Sequence, residues 1–284
     1  MSGGERDASG RVTLPWTVRR VTGDETITEE VRVVREEPLI VEVNGQQVAA
    51  LMRLPGDEKE LAVGFCISEG LIADVDAVEL VHHCGSGLPA PDEDPDLEMT
   101  SRNRVQIRAR ADALRQDVQR EVLRLVRSGC GAAQVQPGDL DLPPVASTAT
   151  VSAALLLSLN ARLRQSQELF RDVGAVHAAA LFAANGELLV IREDIGRHNA
   201  VDKVLGHCLL RRIPLHDKII LTTGRTSYEM VSKAVRVGLP FVASVSSPTA
   251  LAVQLAEAYR CTLIGYMRAN RFSIYTHGWR VTGA

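Results

Sequence analysis

Residues 218–244 read KIILTTGRTSYEMVSKAVRVGLPFVAS. The run predicts a strand over 218–222, a helix over 227–237 and a strand over 241–244, with short links between them. A strand, a crossover helix and a second strand in that order call for a parallel or mixed sheet covered by helices. The same alternation extends in both directions. Upstream stand a helix over 151–163, strands over 178–182 and 188–192 joined at Asn185-Gly186, and a helix over 199–210. Downstream come a helix over 248–260 and strands over 262–266 and 272–275.

Before residue 150 the pattern changes. Residues 136–144 hold three prolines and two aspartates, a composition that suits a boundary. Strand-like runs cover 12–21, 27–34 and 39–43. Asn44-Gly45 then signals a hairpin turn into 47–54, because both residues tolerate positive φ. Pro55-Gly56-Asp57 breaks the run, with Asp57 expected as N-cap of a helix over 58–69 closed by Gly70. Residues 85–97 read as an exposed loop, 104–110 as a strand and 113–126 as a helix with Leu114, Val118, Val122 and Val126 one turn apart. That helix runs into Gly129-Cys130-Gly131. The expected class is α/β (α+β overall). It has a disordered tail 1–10, a β-rich N-terminal domain 11–135 ending in the Cys130 loop, a linker 136–148 and a C-terminal domain 149–284.

Thirty-two Lys and Arg against 35 Asp and Glu leave a net charge of −3. No stretch is strongly basic, which excludes broad electrostatic binding to nucleic acid. The N-terminus has no basic segment leading into an apolar one, and the longest apolar stretch, around 151–159, is too short to span a bilayer. A cytoplasmic protein with no membrane partner is expected. The five cysteines, Cys66, Cys84, Cys130, Cys208 and Cys261, are odd in number and widely spaced. That fits neither a disulfide framework nor a structural zinc site. Cys66, Cys208 and Cys261 sit in helix or strand patterns and read as packing residues. In His82-His83-Cys84, neighbours on a strand would point to opposite faces, so no local metal site is expected. Cys130 differs: glycine on both sides removes bulk and lets a large partner or ligand approach the thiol.

Several segments together resemble the formate dehydrogenase accessory sulfurtransferases, the FdhD family. They are ELAVGF at 60–65 with Ser68-Glu69-Gly70 after it, Gly129-Cys130-Gly131, VHAAAL at 176–181, EDIGRHNAVDK at 193–203 and TGRTSYE at 223–229. SSPT at 246–249, YMRANR at 266–271 and Tyr275-Thr276-His277 complete the set. The resemblance implies a homodimeric sulfur carrier with a cytidine-deaminase-like, three-layer C-terminal domain. Such a protein takes sulfur from a cysteine desulfurase as a persulfide on Cys130. It passes the sulfur to the bis-molybdopterin guanine dinucleotide form of the molybdenum cofactor before formate dehydrogenase is assembled. Tyr266, Met267, Arg268, Ala269, Asn270 and Arg271 match the segment assigned to the cofactor. The sequence departs from the family at Ala133, where many members carry a second cysteine; either one thiol suffices here, the reading favoured because one persulfide needs one thiol, or this protein works differently from its two-cysteine relatives. It departs also at Val173 and Ala175, where threonine and glycine are more frequent.

The residues suit that chemistry. Sulfur transfer needs a thiolate, and Arg127 lies close to Cys130 in sequence. Arg268 and Arg271 offer phosphate a forked donor geometry, and Tyr266 offers a face for stacking. Thr223-Gly224-Arg225 lies between a strand and a helix, where free amides meet anions. His177, Asp194, Arg197, His198, Arg225 and Ser227 are candidates to line the same cleft. For the Glu193–Asn199 group, a polar network pinning the strand–helix junction is the alternative role. Affinity for a GDP-like guanine nucleotide follows from the cofactor's guanine ends. Zinc-dependent deamination needs His-x-Glu and Pro-Cys-x-x-Cys; here His177 precedes two alanines and no Cys-x-x-Cys occurs, so no zinc is expected. No Gly-x-x-x-x-Gly-Lys-Ser/Thr loop is present for nucleotide hydrolysis. A chaperone that holds the cofactor without moving sulfur is the remaining rival.

Overall fold

The computed structural model describes residues 12–84, 103–114 and 142–284. The expected tail 1–10, the loop 85–97, most of the helix 113–126, Cys130 and the linker up to residue 141 lie outside those residues.

Strands β1 (Thr13–Thr22) and β2 (Glu25–Val34) pair antiparallel along their whole length as a two-stranded ribbon. Strands β3 (Glu37–Val43) and β4 (Gln46–Arg53) form the expected hairpin. Its turn places Asn44 and Gly45 at φ 49° and 80°, matching the twist of the flanking strands. After helix α1 (Glu58–Ser68) come β5 (Val78–Cys84) and β6 (Arg104–Ala109), giving a four-stranded sheet of order β4-β3-β6-β5. Leu39, Val41, Val105 and Ile107 of this sheet share one core with Leu61, Phe65 and Ile67 of α1. Asp57 occupies the N-cap position but does not cap. It adopts φ 58° with no side-chain bond to the helix, and Gly56 N donates to Glu58 Oε1 at 2.7 Å instead. The Asp57 carboxylate turns toward Arg192, 3.3 Å away.

The second unit begins with β7 (Val151–Ser152) and α2 (Ala153–Ser166), whose N-cap Ser152 accepts from Leu155 N at 3.2 Å. Helix α3 (Glu168–Val173) follows. It went unread in the sequence because it is short and buries none of its residues, so no apolar period marks it. Then come β8 (His177–Phe182), β9 (Leu188–Asp194), α4 (Arg197–Leu210), β10 (Ile219–Thr222), α5 (Tyr228–Arg236) and β11 (Phe241–Ser244). The chain closes with α6 (Ala250–Ala258), β12 (Thr262–Gly265), β13 (Ser273–Ile274) and β14 (Val281–Thr282). One six-stranded mixed sheet has the order β13-β12-β11-β10-β8-β9. Strands β10, β11 and β12 run parallel, and β8 runs against both its neighbours. Alternation along β8 shows the layering: Ala179 and Leu181 pack with α4, α5 and α6, while Ala178, Ala180 and Phe182 pack with Leu156, Leu159 and Leu163 of α2.

Helices α1 and α4 join the two units. A Cβ on Gly64 would lie 1.8 Å from Asp202 O, and one on Gly206 1.8 Å from Glu60 O, so the helices cross backbone to backbone. Buried charges ring the crossing. Lys233 Nζ lies 2.9 Å from both Asp202 oxygens, 2.9 Å from Ser68 Oγ and 2.5 Å from Glu69. The two carboxylates hold Lys233 protonated, above its ordinary range, against the cost of burial. On the other side Glu60 takes Arg192 at 2.7 Å, His207 at 2.9 Å and Arg211 at 2.8 Å. Burial pushes its carboxyl up, but the hydrogen bonds with Arg192 and His207 outweigh that and hold it below the usual range. Pairing of this kind offsets the desolvation cost of burying the ions.

Candidate functional site

The strand directions bring the candidate residues to one edge of the six-stranded sheet. Strands β9, β10, β11 and β12 end there, and β8 begins there. Ligands of open α/β sheets gather at the carboxyl ends of strands. His177 opens β8, Asp194 closes β9, Arg197 and His198 start α4, Arg225 and Ser227 lead into α5, and residues 266–271 follow β12. Hydrogen bonds stitch the loops into one wall. Thr226 N donates to Ser247 O at 3.2 Å, Thr249 N to Thr226 O at 3.0 Å, and Tyr266 N to Ser246 O at 3.0 Å.

Cations dominate the first half of this edge. Arg197 stands at the N-terminus of α4, the positive end of the helix dipole, which is a costly place for a guanidinium unless an anion is near, and His198 follows it. Gly224 lets the Arg197 stem lie against the β10 loop: a Cβ there would sit 2.9 Å from Arg197 Cδ. Arg197 Nε is buried and has no hydrogen-bond partner among the described residues. His177 Nδ1 lies 3.4 Å from Thr223 Oγ1, and burial, reinforced by Arg197 and His198, lowers its pKa. The counter-charge is Glu229. Its Oε2 accepts from Ser227 Oγ at 2.7 Å and lies 3.3 Å from His198 Nε2. His198 and Ser227 hold the Glu229 carboxyl at about 2. Glu229 lay inside the quoted 223–229 segment, but only its contact with His198 marks it as part of the site.

Asp194 serves the junction. Its fully buried carboxylate accepts from Leu54 N at 3.2 Å, Gly196 N at 2.9 Å and Asn199 Nδ2 at 3.0 Å, and pairs with Lys203 at 2.8 Å. It ties the end of β4 to the start of α4, so its oxygens are committed to protein donors. The turn before His177 has positive φ at both Gly174 (66°) and Ala175 (54°). Ala175 therefore holds a conformation that costs an alanine about 1 kcal/mol and a glycine almost nothing.

The second half of the edge is a pocket of about 580 Å³, a size ordinary for ligand sites. Arg268, Ala269, Asn270 and Arg271 line it from the turn after β12, and Asn160, Ala161 and Arg164 line it from α2. Arg268 is anchored by its Nη1, which donates to Val245 O at 2.5 Å and Met267 O at 2.9 Å. Met267 points the other way: its side chain is fully buried in the core beside α2, and its carbonyl accepts from Asn160 Nδ2 and Arg268 Nη1. Tyr266 is 47% exposed and held at φ 54°. Asn160 and Arg164 were missed in the sequence. The available signal was a polar residue on the face that Leu156, Leu159 and Leu163 bury. Asn160 is only 5% exposed. Its Nδ2 donates to Met267 O at 3.3 Å, and its Oδ1 has no partner among the described residues.

Of the described cysteines, Cys66, Cys208 and Cys261 are sealed in the two cores. Burial raises all three thiols, Cys208 and Cys261 to about 12, so their thiolate content near neutrality is negligible. Cys84 is half-buried at the end of β5. Cys130 lies outside the described residues. Among the described residues no group of three metal-ligating side chains forms, and no helix is long and apolar enough to cross a membrane.

The fold and site define a two-unit mixed α/β protein with a cationic cleft and an arginine-lined pocket at one sheet edge. Residues 34–282 match the model of the FdhD/NarQ family, and the chain belongs to that family. It is 38% identical over 276 residues to "Sulfur carrier protein FdhD" of Mycolicibacterium paratuberculosis, covering 95% of this chain and 99% of that protein. To the protein of the same description from Sulfurisphaera tokodaii it is 37% identical over 268 residues, covering 93% and 97%. A crystal structure described as that of a formate dehydrogenase accessory protein from Desulfotalea psychrophila superposes with a TM-score of 0.71 at 25% identity. That match covers 95% of this chain and 99% of the other.

Proposed function

We propose that this chain is a sulfur carrier that holds a persulfide on Cys130 and delivers sulfur to a molybdenum cofactor for formate dehydrogenase. The observation that carries the reading is the near full-length match to sulfur carrier proteins. In the first step the Cys130 thiolate attacks the outer sulfur of a cysteine desulfurase persulfide. A new S–S bond forms, the donor's S–S bond breaks, and the donor cysteine leaves as thiolate. The buried thiols of Cys66, Cys208 and Cys261 are unsuited to that attack.

The acceptor, bis-molybdopterin guanine dinucleotide, is a substrate here. It carries pyrophosphates that need cations and guanines that offer N–H donors. The sheet edge fits both needs. Arg164, Arg268 and Arg271 line a pocket, and Asn160 and Asn270 bring amide side chains to its wall. Arg197, His198 and the open end of α4 suit a phosphate. A GDP-like nucleotide would occupy part of the same edge. The likeness of the C-terminal unit to the cytidine deaminase fold belongs to this reading, supported by one mixed sheet between two helical layers. So do a cytoplasmic location, a homodimer, and encounters with a desulfurase and with formate dehydrogenase.

Mass spectrometry after incubation with a cysteine desulfurase and cysteine tests the carrier. One added sulfur, removable by reductant, is expected on the peptide containing Cys130. Loading should vanish in Cys130→Ala and persist in Cys84→Ser. If Cys130→Ala still supports active formate dehydrogenase, the protein is a cofactor-holding chaperone and the carrier reading fails.

A further inference from the structure

The β1–β2 ribbon stands apart from both cores. Its principal contact with the rest of the described chain is where β2 meets α3. Its ten-rung register puts Leu14 opposite Val33, Trp16 opposite Val31, Val18 opposite Glu29 and Arg20 opposite Ile27, so one face is apolar except for the Arg20–Glu29 ion pair and the Thr22–Glu25 rung at its tip. The other face is mostly polar, with Thr13, Thr17, Arg19, Thr26, Thr28, Glu30 and Arg32 beside Pro15, Val21 and Val34. The apolar face is largely bare, with Trp16 62% and Ile27 53% exposed. An isolated two-stranded hairpin is marginal in water and needs a surface to cover its apolar side.

We propose that this ribbon is an arm that lies on the body of a second copy of the chain, with the partner's arm returning the contact. Charge and area favour that occupant. The ribbon carries Arg19, Arg20 and Arg32 against Asp24, Glu25, Glu29 and Glu30, close to balance. That balance suits a copy of itself rather than a nucleic acid or an anionic membrane, which would call for one sign. A ribbon of two ten-residue strands presents a face of about 330 Å². Two ribbons stacked on each other would bury about 700 Å², below the range of specific interfaces. Two arms each laid on the partner's body would bury about 1,300 Å², within it. Reciprocal contact is also what a twofold axis requires.

The inference rests on the two-copy reading above and on no step of the sulfur chemistry, and its test reads mass alone. Sedimentation of the full chain should give a dimer. Trp16→Glu and, separately, Val31→Glu should halve the mass. Thr17→Glu, on the polar face, should leave the dimer intact, and circular dichroism should be alike for all four proteins. A dimer that survives both apolar-face substitutions overturns the arm while keeping the two-copy reading. A wild-type monomer at tens of micromolar overturns both, as it would if another protein or another part of this chain covered the ribbon.

Discussion

Replacing Gly64 by alanine should loosen the joint between the two units. The new methyl would lie 1.8 Å from Asp202 O, where ordinary contact begins at 3.4 Å. Helices α1 and α4 must therefore part by about 1.6 Å. The obstacle is backbone, so no side chain can swing aside. Overpacking a core costs about 1–3 kcal/mol and more where nothing yields. Parting the helices also strains the buried set of Ser68, Asp202 and Lys233, whose bonds are all 2.7–2.9 Å. Alanine gives back roughly 1 kcal/mol through helix propensity. From the upper end of that range a net loss of about 2 kcal/mol remains, or a urea midpoint lowered by about 1 M at a slope near 2 kcal/mol per M. Gly206→Ala opens the same crossing from the other helix, so the double variant should cost little more than either single one. Urea titration followed by circular dichroism measures all three. If Gly64→Ala matches or exceeds wild type, propensity outweighs contact and the crossing is not backbone to backbone. Because α4 begins with Arg197 and His198, the same variant should also weaken nucleotide binding at the sheet edge.

Two other outcomes follow from the site. The Glu229 carboxyl is depressed from 4.5 to about 2, so its stabilising contribution is complete above about 4.5 and is lost as pH falls through about 2. The melting temperature of wild type should therefore exceed that of Glu229→Gln near pH 5 and converge with it toward pH 2; a gap constant over that window contradicts the pairing with His198. Arg271→Ala, at an exposed pocket residue, should weaken GDP binding about tenfold, near 1.4 kcal/mol, with its melting temperature unchanged. Calorimetry giving equal affinity would remove the pocket from the site.

The Asn44-Gly45 hairpin, the strand–helix–strand run of 218–244 and the burial of Cys66, Cys208 and Cys261 were legible because each depends on local signals. Positive φ, apolar period and neighbouring residue types are read along a few residues of chain. Asp57 as a cap misled for the opposite reason: its carboxylate is drawn to Arg192, more than a hundred residues away. Tertiary attraction overrides a local preference worth about 1 kcal/mol.

The site divides along the same line. The sequence alone named the segments at 177, 193–199, 223–229 and 266–271, since their residue types suit anions and their order resembles a known family. It could not say that all four meet at one sheet edge, which follows from β9 through β12 ending on the same side. Nor could it assign Asp194 and Met267 to structural work, or bring Asn160 and Arg164 from α2 to face the 268–271 turn. Those outcomes depend on which distant groups compete for each polar atom, and only the packed chain decides that competition.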